Sequence, residues 1–436
     1  MPPPLSPIEE LVSYAISRMH DLREQIVAAL ARANQNASGN TYPARDVAWT
    51  LEQTEQQAQR DANEQSTPLL LGLPVSLKDC FDLQGFITSS GSRYYAGHRA
   101  PATTDSAVAA MLKRAGAVIT GKTHMQQLAY GITGENRDYG DCLQPADPTA
   151  LTGGSSSGGA ASVQEGSALA AVGTDTGGSV RVPASLCGLA GYRASLGLAD
   201  WQGVDHLAPS FDTVGWLFHD LRDAPRLALA LGFPATLPGL SKPEPAGRAC
   251  SIGCIAGALV DDCDAPVLQS LAEWKERLAR AGATLHDVDG SSWMGAYDIF
   301  APIQAHEASQ LHRGLYDNFE PAIADRLRWG ASLSPEEVQR WHAKQREFIV
   351  TTAVLFGSHD FILMPATPIA KLEAHADHSA ARPRILRCTT PASVAGLPAV
   401  VLPGRRSGMQ LIGRHNEDAK LLAYAAHLGQ LLALET

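Results

Sequence analysis

The chain has 436 residues, with 35 Lys or Arg against 45 Asp or Glu, giving a formal charge of −10. With 45% hydrophobic and 18% charged residues, its composition is neither that of a disordered polyelectrolyte nor that of a membrane protein. The acidic balance and the absence of a long Lys/Arg run exclude the concentrated basic face that nucleic acid or an anionic membrane requires. The N-terminus has no basic stretch followed by an apolar one, and no window approaches the roughly 18 apolar residues of a membrane span. Seven Cys, an odd number scattered from Cys80 to Cys388, do not form the framework of a secreted disulfide scaffold. A cytoplasmic chain with reduced thiols is expected.

Apolar residues recur at helical spacing over 7–34 (Ile8, Leu11, Ala15, Ile16, Met19, Leu22, Ile26, Leu30), and 44–64 reads as a second, Gln- and Glu-rich helix. Residues 1–66 are therefore expected as an N-terminal helical segment. LLLGLPVSL at 69–77 has strand character, Asp105 precedes the apolar helix SAVAAMLKRAG, and AVIT at 117–120 reads as a buried strand. This alternation predicts βαβ units and a mostly parallel sheet. AASVQEGSALAAV, after the Gly/Ser-rich stretch 146–159, looks helical. The Pro/Gly-rich stretch 234–247 reads as a linker, CSIGCIAGAL as a strand, APVLQSLAEWKERLARAG as a helix, about 293–356 as helical, and FILMPATP at 361–368 as a strand end.

Three tempting motifs fail on context. GAVITGKT at 116–123 fits the phosphate-loop expression, but a helix precedes Gly116 and the four intervening residues are themselves a strand, so Lys122 reads as structural. Cys250, Cys254 and Cys263 lack paired zinc-ligand spacing, and after His306-Glu307 the second His of a zinc-protease helix is replaced by Gln310. No metal site is expected.

Two Gly/Ser-dense turns, TGGSSSGG at 152–159 and GTDTGGSVRVPAS at 173–185, flank one apolar segment. Such turns bring backbone N–H groups close to a ligand and carry hydroxyls that can serve as nucleophiles. His124 and His206 lie nearest in sequence but belong to no triad motif, and there is no G-x-S-x-G elbow. Lys78 closes the apolar run at a strand end, where burial disfavours its charged form and would make it a neutral base.

With these residues the chain resembles the amidase signature hydrolases, which use a Ser-Ser-Lys triad. The resemblance rests on GLPVSLKDCFDLQGFITSSGS at 72–92, GGSSSGGAAS at 153–162 and GTDTGGSVRVPA at 173–184, with 179 − 155 = 24 residues between the two serines. Weaker echoes lie at 212–224, 361–368 and 389–414. It implies Ser179 as nucleophile, Ser155 as bridging serine and Lys78 as base. It also implies a cis Gly154–Ser155 peptide and an oxyanion hole from the N–H groups of Thr176, Gly177, Gly178 and Ser179. Met125 and Gly154 are the substrate-binding candidates, and Asp175 and Arg181 are supports. No cofactor is implied. The chain departs from the family in Gly191-Tyr192-Arg193-Ala194-Ser195, where the family reads Gly-x-Lys-Pro-Thr, and in Cys80-Phe81 shortly after Lys78.

The expected architecture is a single α/β unit over 1–436, its mixed, mostly parallel sheet covered by helices on both faces. Residues 68–224 are expected as catalytic core, 235–355 as a divergent substrate cap, and 360–430 as a return to the core. Trp293, Met294, Tyr297, Phe300, Phe319, Trp329, Trp341 and Phe348 in the divergent stretch suggest an apolar wall over the site. The expected substrates are small apolar amides, anilides, carbamates (urethanes) or esters, with water as co-substrate and a homodimer possible. The alternatives are a glutamine-hydrolysing amidotransferase A-type subunit that acts with a partner, and a non-catalytic binding protein on the same fold.

Overall fold

The helical spacing over 7–34 becomes two helices, Pro7–Ser17 and Leu22–Gln35, in a computed structural model that describes residues 5–17, 22–61, 68–236, 250–405 and 407–435. The second buries Leu22, Ile26, Ala29, Leu30 and Ala33, a stripe at three- and four-residue steps. A third helix, Val47–Asp61, realises the Gln-rich segment, while residues 62–67 and most of the expected linker at 234–247 lie outside the described residues. No described helix is long and apolar enough to cross a membrane.

The strands are β1 (Pro74–Lys78), β2 (Val118–Thr123), β3 (Leu143–Gln144), β4 (Asp147–Leu151), β5 (Ala170–Thr174), β6 (Ala190–Arg193), β7 (Val214–Phe218), β8 (Ser251–Ala256), β9 (Thr284–Asp289), β10 (Phe361–Pro365), β11 (Ala399–Leu402) and β12 (Met409–Ile412). β3 and β4 pair with each other, and the rest form one sheet in the order β2-β1-β5-β7-β6-β11-β12-β10-β8-β9. The strand order departs from chain order, so distant segments meet at its centre.

The sheet is mixed, as expected, but parallel pairing is confined to its two outer blocks. β2, β1 and β5 run parallel, as do β10, β8 and β9. The five junctions between these blocks are antiparallel, which corrects the expectation of a mostly parallel sheet. The strand–helix alternation at 68–123 and 250–289 reflects genuine crossovers through helices Ala107–Arg114 and Ala265–Arg280. Parallel strands need such connections, whereas β11 and β12 are joined by residues 403–408 alone and must turn back.

AASVQEGSALAAV also divides. Its first half ends helix Ser157–Glu165, Gly166 caps that helix in the left-handed conformation at φ 76°, and its second half is β5. β1, β2, β5 and β7 are buried along their whole length. Strands covered on both faces read as continuous apolar runs, which explains why small-residue ALAAV passes for helix.

Candidate active site

The site forms where β1 and β5 end side by side. Lys78, the last residue of β1, is fully buried, and its Nζ donates to Ser155 Oγ at 2.8 Å and to Thr174 Oγ1 at 2.8 Å. Burial pulls the ammonium down from 10.5 to about 8, against the nearby Cys80, Asp175 and Asp212, which favour its charge. Ser155 follows a cis Gly154–Ser155 peptide. Its carbonyl accepts from Gln126 N–H at 3.2 Å, while the next residue, Ser156, donates its N–H to Ser179 O at 3.1 Å. One backbone hydrogen bond thus ties together the separate loops that carry the two serines.

Ser179 sits in the loop after β5, between strand and helix Arg181–Leu186. The loop is built around Asp175. Its carboxylate accepts Arg181 Nε at 3.0 Å and Nη2 at 2.9 Å, Arg193 Nη1 at 2.9 Å and Gly178 N–H at 2.8 Å. Burial alone would push this carboxyl up, but the two guanidinium groups overcome it and hold it well below the usual carboxylate range. Burial draws Arg193 down to about 10, opposed by Asp175. Arg181 also donates to Thr389 O, Gln410 Oε1 and Ser393 Oγ, each at 2.9 Å, tying the loop to helix Ala381–Val394 and to β12.

The N–H groups of Thr176, Gly177 and Ser179, all buried residues, find no acceptor among the described residues. Gly178 does not join them, because its N–H is held by Asp175; the expected set of oxyanion donors loses that member. Gly178 instead answers a packing need. Its φ is 121°, and a Cβ there would lie 2.8 Å from Thr389 Cβ. Thr176 Oγ1 donates to Asp212 at 2.6 Å, and Asp212 is itself held by His206 Nδ1 at 2.9 Å and the N–H groups of Leu207 and Ala208.

The expected residues converge unevenly. Lys78 and Ser155 are in direct contact, and Ser179 is joined to them through the Ser156 backbone; no hydrogen bond links the Ser155 and Ser179 hydroxyls among the described residues. Met125 is buried, its carbonyl accepting from Asn136 Nδ2 at 2.9 Å, and Gly154 donates to Ile132 O at 2.9 Å. His124 bonds Ser157 Oγ and Gly140 O, and burial lowers it to about 4. Lys122 makes a buried ion pair with Asp79 at 2.8 Å inside β2. Thr174 and Arg193 are the residues sequence reasoning missed. Thr174 hides in the motif GTDTGGS, and the signal for Arg193 was the basic residue kept where the family has Lys.

Of the aromatic wall, Phe300 reaches the site loop. Phe300 Cζ lies 2.7 Å, and Leu386 Cδ2 3.3 Å, from where a Cβ on Gly177 would stand, and Tyr297 lies one turn before Phe300. Trp293 is core, with Nε1 donating to Thr352, and Phe348 is also buried. Phe319 packs on Tyr94, Tyr95 and His312. Trp341 lies under Lys344, and Met294 and Trp329 are exposed. Among the described residues no three His, Cys, Asp or Glu side chains are grouped to hold a metal.

A buried lysine on a serine, a second serine in a loop of free backbone donors, and one large mixed sheet define an amidase signature hydrolase. The chain belongs to that family: residues 24–422 match Amidase. It is 30% identical to the A-type subunit of a glutamyl-tRNA(Gln) amidotransferase from Prochlorococcus marinus (strain MIT 9303), over 87% of this chain and 89% of that one. It is 31% identical to a 2-amino-5-chloromuconic acid deaminase of Comamonas testosteroni, over 83% and 82%. A solved amidase structure superposes with a TM-score of 0.86 at 25% identity, covering 97% of this chain and 98% of that one.

Proposed function

We propose that the protein hydrolyses the C–N bond of a small amide through an acyl-enzyme on Ser179. The observation that carries this reading is the 2.8 Å contact of buried Lys78 Nζ with Ser155 Oγ. Neutral Lys78 accepts the Ser155 proton while Ser155 accepts that of Ser179, whose Oγ attacks the carbonyl carbon. The N–H groups of Thr176, Gly177 and Ser179 receive the oxyanion, a contribution of about 2.7–4 kcal/mol per donor in measured cases. The C–N bond then breaks, and the proton returns through Ser155 to the leaving nitrogen. Water attacks the acyl-enzyme and gives its proton to the same relay, releasing the acid and restoring Ser179. Anilides, carbamates and esters pass through the same tetrahedral oxyanion and fall within this chemistry.

The test is turnover of a nitroanilide, an aryl carbamate, an ester and glutamine by the purified chain, beside Ser179→Ala and Lys78→Ala. Each substitution is expected to cost at least about 10³-fold in kcat, and a variant that keeps wild-type turnover overturns the assignment. A second reading, glutamine hydrolysis in complex with a partner protein, is favoured by the similarity to the Prochlorococcus amidotransferase. Glutamine turnover that appears only with a partner protein would decide for it. Fluorophosphonate labelling of Ser179 would overturn the reading as a binding protein without catalysis.

A further inference from the structure

Arg326 and Arg382 come together from different helices at the edge of the site. Arg326 lies on Pro321–Ser332, its Nη2 donating to Tyr130 O at 2.7 Å and its guanidinium resting 4.7 Å from the centre of the Tyr130 ring. Tyr130 belongs to the turn whose Gln126 N–H holds Ser155 O. Arg382 opens helix Ala381–Val394 and reaches Tyr297 Oη at 3.5 Å. It stands four residues before Leu386, and Tyr297 three before Phe300, so both pairs share a helix face. Leu386 and Phe300 are the side chains against Gly177. Arg382 therefore stands about one helical turn, roughly 5 Å, beyond the side chain that meets Gly177, and Arg326 approaches it from the Tyr130 turn.

What singles them out is that nothing neutralises them. Neither has a carboxylate within ion-pair distance among the described residues, and the Nε of each is buried without an acceptor. Glu320 feels the Arg326 charge without pairing to it. Burial lowers Arg326 to about 10, and the Arg382 charge adds to that effect. Paired, half-buried guanidinium groups with vacant N–H donors are a receptor for a planar anion, which each can bind through two parallel hydrogen bonds.

The geometry points to a substrate amide that carries a carboxylate two or three methylenes from its carbonyl, held by Arg326 and Arg382, and that lacks an ammonium group beside it. This rests on the amide-hydrolase reading above and narrows it: the wall is apolar at Phe300 and Leu386 and cationic one turn further on. An α-ammonium next to that carboxylate would face two guanidinium groups, so glutamine is disfavoured.

The test compares succinamate and glutaramate with their neutral isosteres succinamide and glutaramide, and with glutamine, which is glutaramate plus an ammonium. For the better acid, kcat/KM is expected to exceed that of its diamide at least tenfold, and glutaramate to exceed glutamine by a similar factor. In Arg382→Gln and Arg326→Gln the acid-to-diamide ratio is expected to collapse toward one, with Arg326→Lys retaining part of it. Calorimetric binding of glutarate to the wild type, lost in both Gln variants that still melt cooperatively, supplies a readout independent of turnover. A ratio at or below one, or one that the variants leave in place, overturns the inference, as does the absence of glutarate binding. Fluorophosphonate labelling of Ser179 in the same preparations separates the two failures. Labelling without acid preference sinks only the carboxylate site, and no labelling sinks the serine reading.

Discussion

The loops after β1 and β5 and the helices over 296–356 close on the same reacting centre by opposite means. In the loops, small residues and backbone do the work, and the buried charges answer one another: Asp175 is saturated by Arg181, Arg193 and Gly178. Over the site, the helices contribute long side chains, among them Phe300, Tyr297 and a guanidinium group with a buried Nε that bonds nothing. A closed polar network fixes geometry, and any member removed leaves a buried charge stranded. An open one is free to take its missing partner from a ligand. On the function proposed above, reaction type therefore resides in the first region and substrate choice in the second.

The sharpest way to break this contrast is Asp175→Asn, which leaves two buried guanidinium groups facing a neutral amide. A loss of about 3–5 kcal/mol is expected from urea unfolding, with activity abolished; a small loss would mean the loop does not depend on its charges. Next is the boundary between the regions. Gly177→Ala drives a methyl against Phe300, and a fall of roughly tenfold in kcat/KM is expected, partly restored by adding Phe300→Leu. If the two substitutions act independently, the loop and the helices are not in functional contact.

The pH profile sharpens the first region alone. Because burial holds Lys78 near 8, most of it is protonated at pH 7, so kcat/KM should rise about tenfold per unit up to about pH 8 and then level. Stability follows the same group. The unfolded lysine titrates near 10.5, so between about 8 and 10.5 the unfolded chain binds more protons and the fold gains stability as pH rises. Lys78→Met should remove that rise, and a profile flat from pH 6 to 9 would show that another group accepts the proton. The smallest effect is expected from Trp329→Ala. Trp329 is 43% exposed, and its loss should shift stability by no more than about 0.5 kcal/mol and leave turnover unchanged.

The legibility of the sequence divides along the same line. That Lys78, Ser155 and Ser179 would lie close together could be read because each stands in a short block whose Gly and Ser residues are set by local backbone needs. Gly178 was misassigned as an oxyanion donor because no spacing reveals that Asp175 already claims its N–H. The central antiparallel junctions escaped because β6, β7, β11 and β12 come together from distant stretches, and only their pairing gives a direction. Arg326 and Arg382 were invisible for a related reason. A single arginine on a helix looks like a solvated face, and 56 residues separate the two before packing joins them.

The ties from Arg181 to Thr389, Ser393 and Gln410 bear on how the protein is made. During synthesis Ser155, Lys78 and Ser179 all leave the ribosome early, yet the loop that aims Ser179 lacks its anchors until more than two hundred further residues have emerged. Domains fold as units once their long-range partners exist. If Ser179 is the nucleophile proposed above, a chain truncated before residue 389 is expected to resist fluorophosphonate labelling, and the onset of labelling at Ser179 would time the completion of folding on the ribosome.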